Sequence, residues 1–265
     1  MNRTEYDQNN VHYTEYTGGN QNYYSGNNAY GNENYWSNGN YYDNTYDREE
    51  IEQKVITRSF IVMFISLLVT ALTATIVAAN IDMFVGVMNS FSVLLVLEII
   101  VVIAASFAVN KRNAVVAGVL YSAYSIINGL TLSVIFFAYE LGSIQEIFMV
   151  TAILFAVMAV IGATTKKNLS SLGGICTMLL SGALLVTVIN ALILHSSGIE
   201  LVLDYVIVAI FVGLTAYDTQ KMKSLAATAS TADVNTIAIY CGMELYLDFI
   251  NLFLRLLSIF GKSRD

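Results

Sequence analysis

The amino-acid sequence predicts an all-α, polytopic membrane protein: a seven-transmembrane-helix bundle over residues 51–262 with the last helix central, behind a disordered tail over residues 1–50. Three observations carry this. Of 265 residues, 56% are hydrophobic and only 12% charged, with a mean hydropathy of +0.60. The apolar residues recur in runs of roughly 20, the helix length that crosses a hydrocarbon core about 30 Å thick. The formal charge of −7 comes largely from the first fifty residues, where Glu5, Asp7, Glu15, Glu33, Asp43, Asp47, Glu49 and Glu50 face only Arg3 and Arg48.

That first stretch is dominated by Asn, Tyr and Gly and has almost no aliphatic side chains. It cannot bury enough apolar surface to offset the entropy of ordering, so it is expected to be disordered. Its spaced tyrosines resemble self-associating low-complexity sequence, although a solvated tail is the simpler reading. No basic region is followed at once by an apolar core, so no cleavable signal peptide is expected and the first apolar helix should direct insertion itself.

Seven apolar segments follow, at about 55–79, 83–109, 114–139, 145–165, 169–194, 200–222 and 234–260. The connectors are short, so neighbouring helices should be antiparallel. The chain has no proline, which removes the commonest cause of kinks, while glycines such as Gly118, Gly129, Gly162, Gly182 and Gly213 allow close helix packing. Lys54 and Arg58 precede the first span, and the loops after the second, fourth and sixth hold Lys111 and Arg112, Lys166 and Lys167, and Lys221 and Lys223. The other connectors carry no Lys or Arg. By the positive-inside rule the N-terminus and the basic loops face the cytoplasm. Seven crossings then put the C-terminus outside, against the positive character of Arg255, Lys262 and Arg264. The last segment therefore either crosses against its local charge or is partly re-entrant.

The common enzymatic signatures are missing. There is no HExxH, GxSxG, Walker A or GxGxxG motif, and two histidines and two cysteines, Cys176 and Cys241 in apolar segments, do not make a zinc set. The protein is not expected to be an enzyme, to hold a resident cofactor or to bind nucleic acid.

Ionisable groups inside hydrocarbon are costly and mark ion, proton or substrate paths. They are Arg58, Glu98, Asp204, Asp218, Glu244, Asp248 and Arg255. At 100° per residue, Glu244, Asp248 and Arg255 share one face of the last helix, which points that stripe toward a central path. Arg58 and Asp204 read as interfacial anchors. Asp218 precedes the Lys221 interface by one turn, and an antiparallel hairpin brings it toward Asp248, although linear counting leaves the two at different depths. If they meet, the pair should share a proton. Ionised, the pair repels or holds a cation such as Ca²⁺; protonated, it closes an interhelical hydrogen bond. The plainer alternative keeps Asp218 as an interfacial acid and Asp248 as a structural partner. Glu98 and Glu244 are pore or cation-site candidates, and Lys111, Arg112 and Arg255 are candidate latches.

INGLTLSVIFFAYE at 127–140, GLTAYDTQKMK at 213–223 and LYLDFINLFLRLL at 245–257, in that order on a seven-segment chain with basic even-numbered loops, resemble the bacterial form of the Bax inhibitor-1 family, also called the transmembrane BAX inhibitor motif family. The resemblance covers about residues 50–262. It implies two layers of three helices around the last helix and a pH-sensitive calcium leak controlled by an aspartate pair, here Asp218 and Asp248, with Glu98 as the second-helix glutamate. Some relatives carry an arginine-rich stretch where this chain reads NKRN. The family is also linked to stress protection and to modulation of membrane proteases. The leading expectation is thus a passive, proton-gated Ca²⁺ leak channel of the bacterial cell membrane. Its alternatives are a non-transporting regulator that binds a membrane-protein partner, and a cation/proton exchanger.

Overall fold

The computed structural model describes residues 34–111 and 113–264, with only the backbone course described for 34–47. The described elements are helical: α1 (Asn34–Ala79), α2 (Ile81–Asn89), α3 (Phe91–Asn110), α4 (Ala114–Leu132), α5 (Ile135–Ala138), α6 (Leu141–Thr164), α7 (Ser170–Ile189), α8 (Ser197–Thr228) and α9 (Val234–Phe260). Most of the tail expected over 1–50 lies outside the described residues; from Asn34 onward the backbone already belongs to α1.

Seven helical stretches are long and apolar enough to cross a membrane, at 48–79, 91–110, 114–138, 141–164, 170–194, 197–228 and 234–260. The expected second segment is two helices. Asn80 starts α2 by accepting hydrogen bonds from the backbone N–H groups of Asp82 and Met83, and the chain breaks again at Ser90. Asn113 caps α4 through the Val116 N–H. α7 ends in a π-helical turn, Asn190–Leu194, and His195 takes a left-handed φ of 49°. The Asn190 side chain locks that turn by bonding both the N–H and the C=O of Ser196.

Outward faces are apolar, with side chains such as Ile61, Phe64, Leu72, Ile99, Ile153 and Leu192 exposed. Buried positions include many small polar residues, among them Ser59, Thr70, Ser125, Asn128, Thr151 and Thr215. This is the arrangement of a protein solvated by lipid, where polar groups find partners only inside. Of the most apolar stretch of α9, 61% is buried, against 11–39% in the other six crossings. α9 is the central helix, packed by α8, α6, α4 and α3 and bonded to α1 through Thr70.

The last segment is one unbroken helix, Val234–Phe260, long and apolar enough to cross a membrane. Its start lies beside Val55 and Ala226 and receives the Arg58 guanidinium on Asn235. Its far end leads into a strap on the α5–α6 connection: Glu140 N–H donates to Lys262 O, and Arg264 N–H to Ala138 O. A re-entrant course, which would turn back part-way, finds no break in α9. The positive charge at that end is locally answered, Arg255 by Asp204 and Arg264 by the Phe136 carbonyl.

Candidate functional site

The α8–α9 hairpin positions the site. α8 does not stop near 222, as hydropathy alone predicts, but continues to Thr228. Lys221 is therefore inside a helix, and Asp218 lies ten residues before its end. Pairing outward from the 229–233 turn then sets Asp218 opposite Glu244, and Asp248 one helical turn, about 6 Å, deeper. Close approach of α6 helps hold α8: a Cβ built on Gly162 would stand 2.1 Å from the Ala216 carbonyl oxygen, so the backbones touch two residues from Asp218.

The Asp218 and Asp248 carboxyl groups come within hydrogen-bonding reach of one another. Asp248 is 4% exposed, and its Oδ2 finds no donor among the described residues. Two carboxylates cannot bond unless one carries a proton, and an orphaned buried acceptor costs about 1–3 kcal/mol. A proton shared by the pair removes both difficulties.

One turn toward the basic end, the Lys221 ammonium lies 2.7 Å from Glu244 Oε1, donates to the Tyr240 hydroxyl at 2.7 Å, and sits 4.8 Å from the centroid of that ring. Tyr240 O–H also donates to Glu244. Glu244, expected as a pore or cation candidate, is thus held in an ion pair beside the aspartates. Lys221 and Tyr240 were missed as site residues, although Lys221 lies three residues from Asp218 and Tyr240 four from Glu244, the helical spacings that share a face.

The other expected residues are distributed elsewhere. Glu98 is half-buried on α3 and accepts from Thr131 O–H at 2.6 Å; Thr131 also bonds Asn128 O, and Asn128 Oδ1 accepts from Tyr246 O–H. Arg255 does not latch Asp218. It donates to Asp204 Oδ1 at 2.7 Å, where Ser258 O–H supplies Oδ2, and Asp204 is 2% exposed. Asp204 is accordingly no interfacial anchor; it is the buried acid of a second cluster at the opposite end of the same helix pair. Lys111 is exposed and makes no ion pair among the described residues. Arg112 lies outside the described residues. Among the described residues no group of three or more His, Cys, Asp or Glu is arranged to hold a metal ion. Two facing aspartates alone fall short of the six to eight oxygens of a resident Ca²⁺.

The sequence profile of the family described as "Inhibitor of apoptosis-promoting Bax1" matches residues 52–265. The chain is 42% identical over 174 residues to the inner membrane protein YbhL of Escherichia coli K12, covering 64% of this chain and 74% of that protein. It is 35% identical over 230 residues to an uncharacterised protein of Borreliella burgdorferi, covering 84% and 99%, and 34% identical over 209 residues to one from Deinococcus radiodurans, covering 78% and 90%.

Proposed function

The chain belongs to the Bax inhibitor family of integral membrane proteins, and we propose that it acts there as a passive, proton-gated leak for Ca²⁺, with Asp218 and Asp248 as gate and sensor. The observation that carries this reading is the facing pair itself: two acids of adjacent helices within reach of one another, one with a buried oxygen that finds no donor among the described residues.

The mechanism follows from the charge states. With one proton between them, the carboxyls tie α8 to α9 and leave no anionic path. Loss of that proton places two negative charges in contact, where repulsion separates the helices and the freed oxygens become ligands for a partly hydrated cation. Glu244 sits next along the path and is kept neutralised by Lys221, so opening at the aspartates also bears on that ion pair. Ca²⁺ is cargo in this scheme. The N-terminus and the basic loops face the cytoplasm, and the bacterial cell membrane is the location, in keeping with the inner-membrane relative.

The test uses purified protein in liposomes loaded with a calcium dye. Flux should rise as pH rises and the pair loses its proton. In Asp218→Asn and Asp248→Asn the pH dependence should disappear. Absence of flux at every pH would exclude the leak and favour a regulator that binds a membrane-protein partner. Ca²⁺ uptake against its own gradient, driven by an imposed proton gradient, would identify an exchanger.

A further inference from the structure

A second polar site lies on the other side of Lys221. The loop between α6 and α7 and the flank of α8 border an open pocket of about 410 Å³ lined by Lys166, Lys167, Lys221, Asn168, Ser170 and Tyr217, among others, with no carboxylate in its wall. Its shape is held by two bonds that bridge loop and helix. The Gln220 amide donates to Lys167 O and accepts from Leu169 N–H, each at 2.8 Å. The Tyr217 ring forms a fixed wall because it packs on Gly173, where an added Cβ would fall 2.5 Å from the ring. Neither Lys166 nor Lys167 makes an ion pair among the described residues, whereas the neighbouring Lys223 is turned to the Ala163 carbonyl. Two lysines without an ion pair among the described residues and one shared lysine thus line an open pocket large enough for a phosphate group and its substituents.

We infer that this cavity binds a phosphate-bearing anion, and that the anion competes with Glu244 for Lys221. The three ammonium groups supply charge, and the Asn168, Ser170 and Tyr217 side chains supply polar contacts at the rim. Lys221 is common to the cavity wall and to the ion pair with Glu244, so an occupant that draws the ammonium toward itself leaves Glu244 without its counter-charge beside Asp218 and Asp248. Binding at the cavity stands apart from the calcium reading and is measured without flux.

The test titrates the full-length protein in a neutral detergent with a short-chain phosphatidylglycerol and, separately, with inorganic phosphate, followed by calorimetry. Saturable binding of either supports the site: phosphate alone sufficing identifies a free anion, and a requirement for the lipid identifies a headgroup. Lys166→Gln with Lys167→Gln, both at exposed and unpaired positions, should weaken binding tenfold or more, while Lys223→Gln, outside the cavity, should leave it unchanged. Glu244→Gln, which frees Lys221, should tighten binding several-fold. No saturation with either probe, or equal affinity of the double variant and the wild type, overturns the site. Unchanged affinity in Glu244→Gln overturns the competition.

Discussion

The same two helices, α8 and α9, bury charge at both ends and settle it in different ways. Near the C-terminal strap one acid faces one base: Asp204 receives Arg255 and Ser258, and both carboxylate oxygens are occupied. Near the basic end three acids, Asp218, Asp248 and Glu244, share one lysine, and an oxygen of Asp248 is left over. A balanced buried pair fixes a helix contact, since removing either partner strands a charge. An unbalanced cluster is relieved by a proton or a cation, and the proposed pH response rests on that imbalance.

The largest effect should come from breaking the balanced end. Asp204→Asn leaves Arg255 without its counter-charge and should cost about 3 kcal/mol of stability, measured by denaturant or thermal unfolding in detergent; adding Arg255→Met should restore much of it. Gly162→Ala should cost about 2 kcal/mol by the same measurement, because the new methyl group meets the Ala216 backbone and α6 must move away from α8. Lys221→Met removes a partner that is only part-buried and should cost about 1 kcal/mol, with a displaced pH profile of flux as Glu244 adds its charge to the aspartates. Asp248→Asn should scarcely change stability, since the amide is a neutral isostere that offers a donor to Asp218. Equal losses in Asp204→Asn and Asp248→Asn would erase the distinction between the two ends.

The seven crossings and the buried position of the last helix were legible in the sequence because hydrocarbon thickness sets helix length and charged stripes avoid lipid. Depth was not. Hydropathy ends a span where charge begins, but KMKSLAAT is composed of good helix formers and carries α8 on to Thr228. That extension brings Asp218 within one helical turn of the depth of Asp248 and makes Lys221 a site residue. Asp204 was misread for the related reason that closeness to a span end suggests an interface. The hairpin register that sets 218 opposite 244, a turn from 248, also sets 204 opposite 258, and this was the available signal. Pairings such as Thr131 with Glu98 depend on how α3 is rotated against α4, which periodicity does not determine.

The strap that ties residues 262–264 to the α5–α6 connection pins the far end of α9, while its start is held by the Arg58–Asn235 bond and the packing of Val234 on Val55 and Ala226. With that pin and the Asp204–Arg255 clasp close together, a push between Asp218 and Asp248 acts at a distance from the pivot. Under the proposed gating, displacement would grow toward Val234, and the bond between Arg58 and Asn235 would be the contact that has to give.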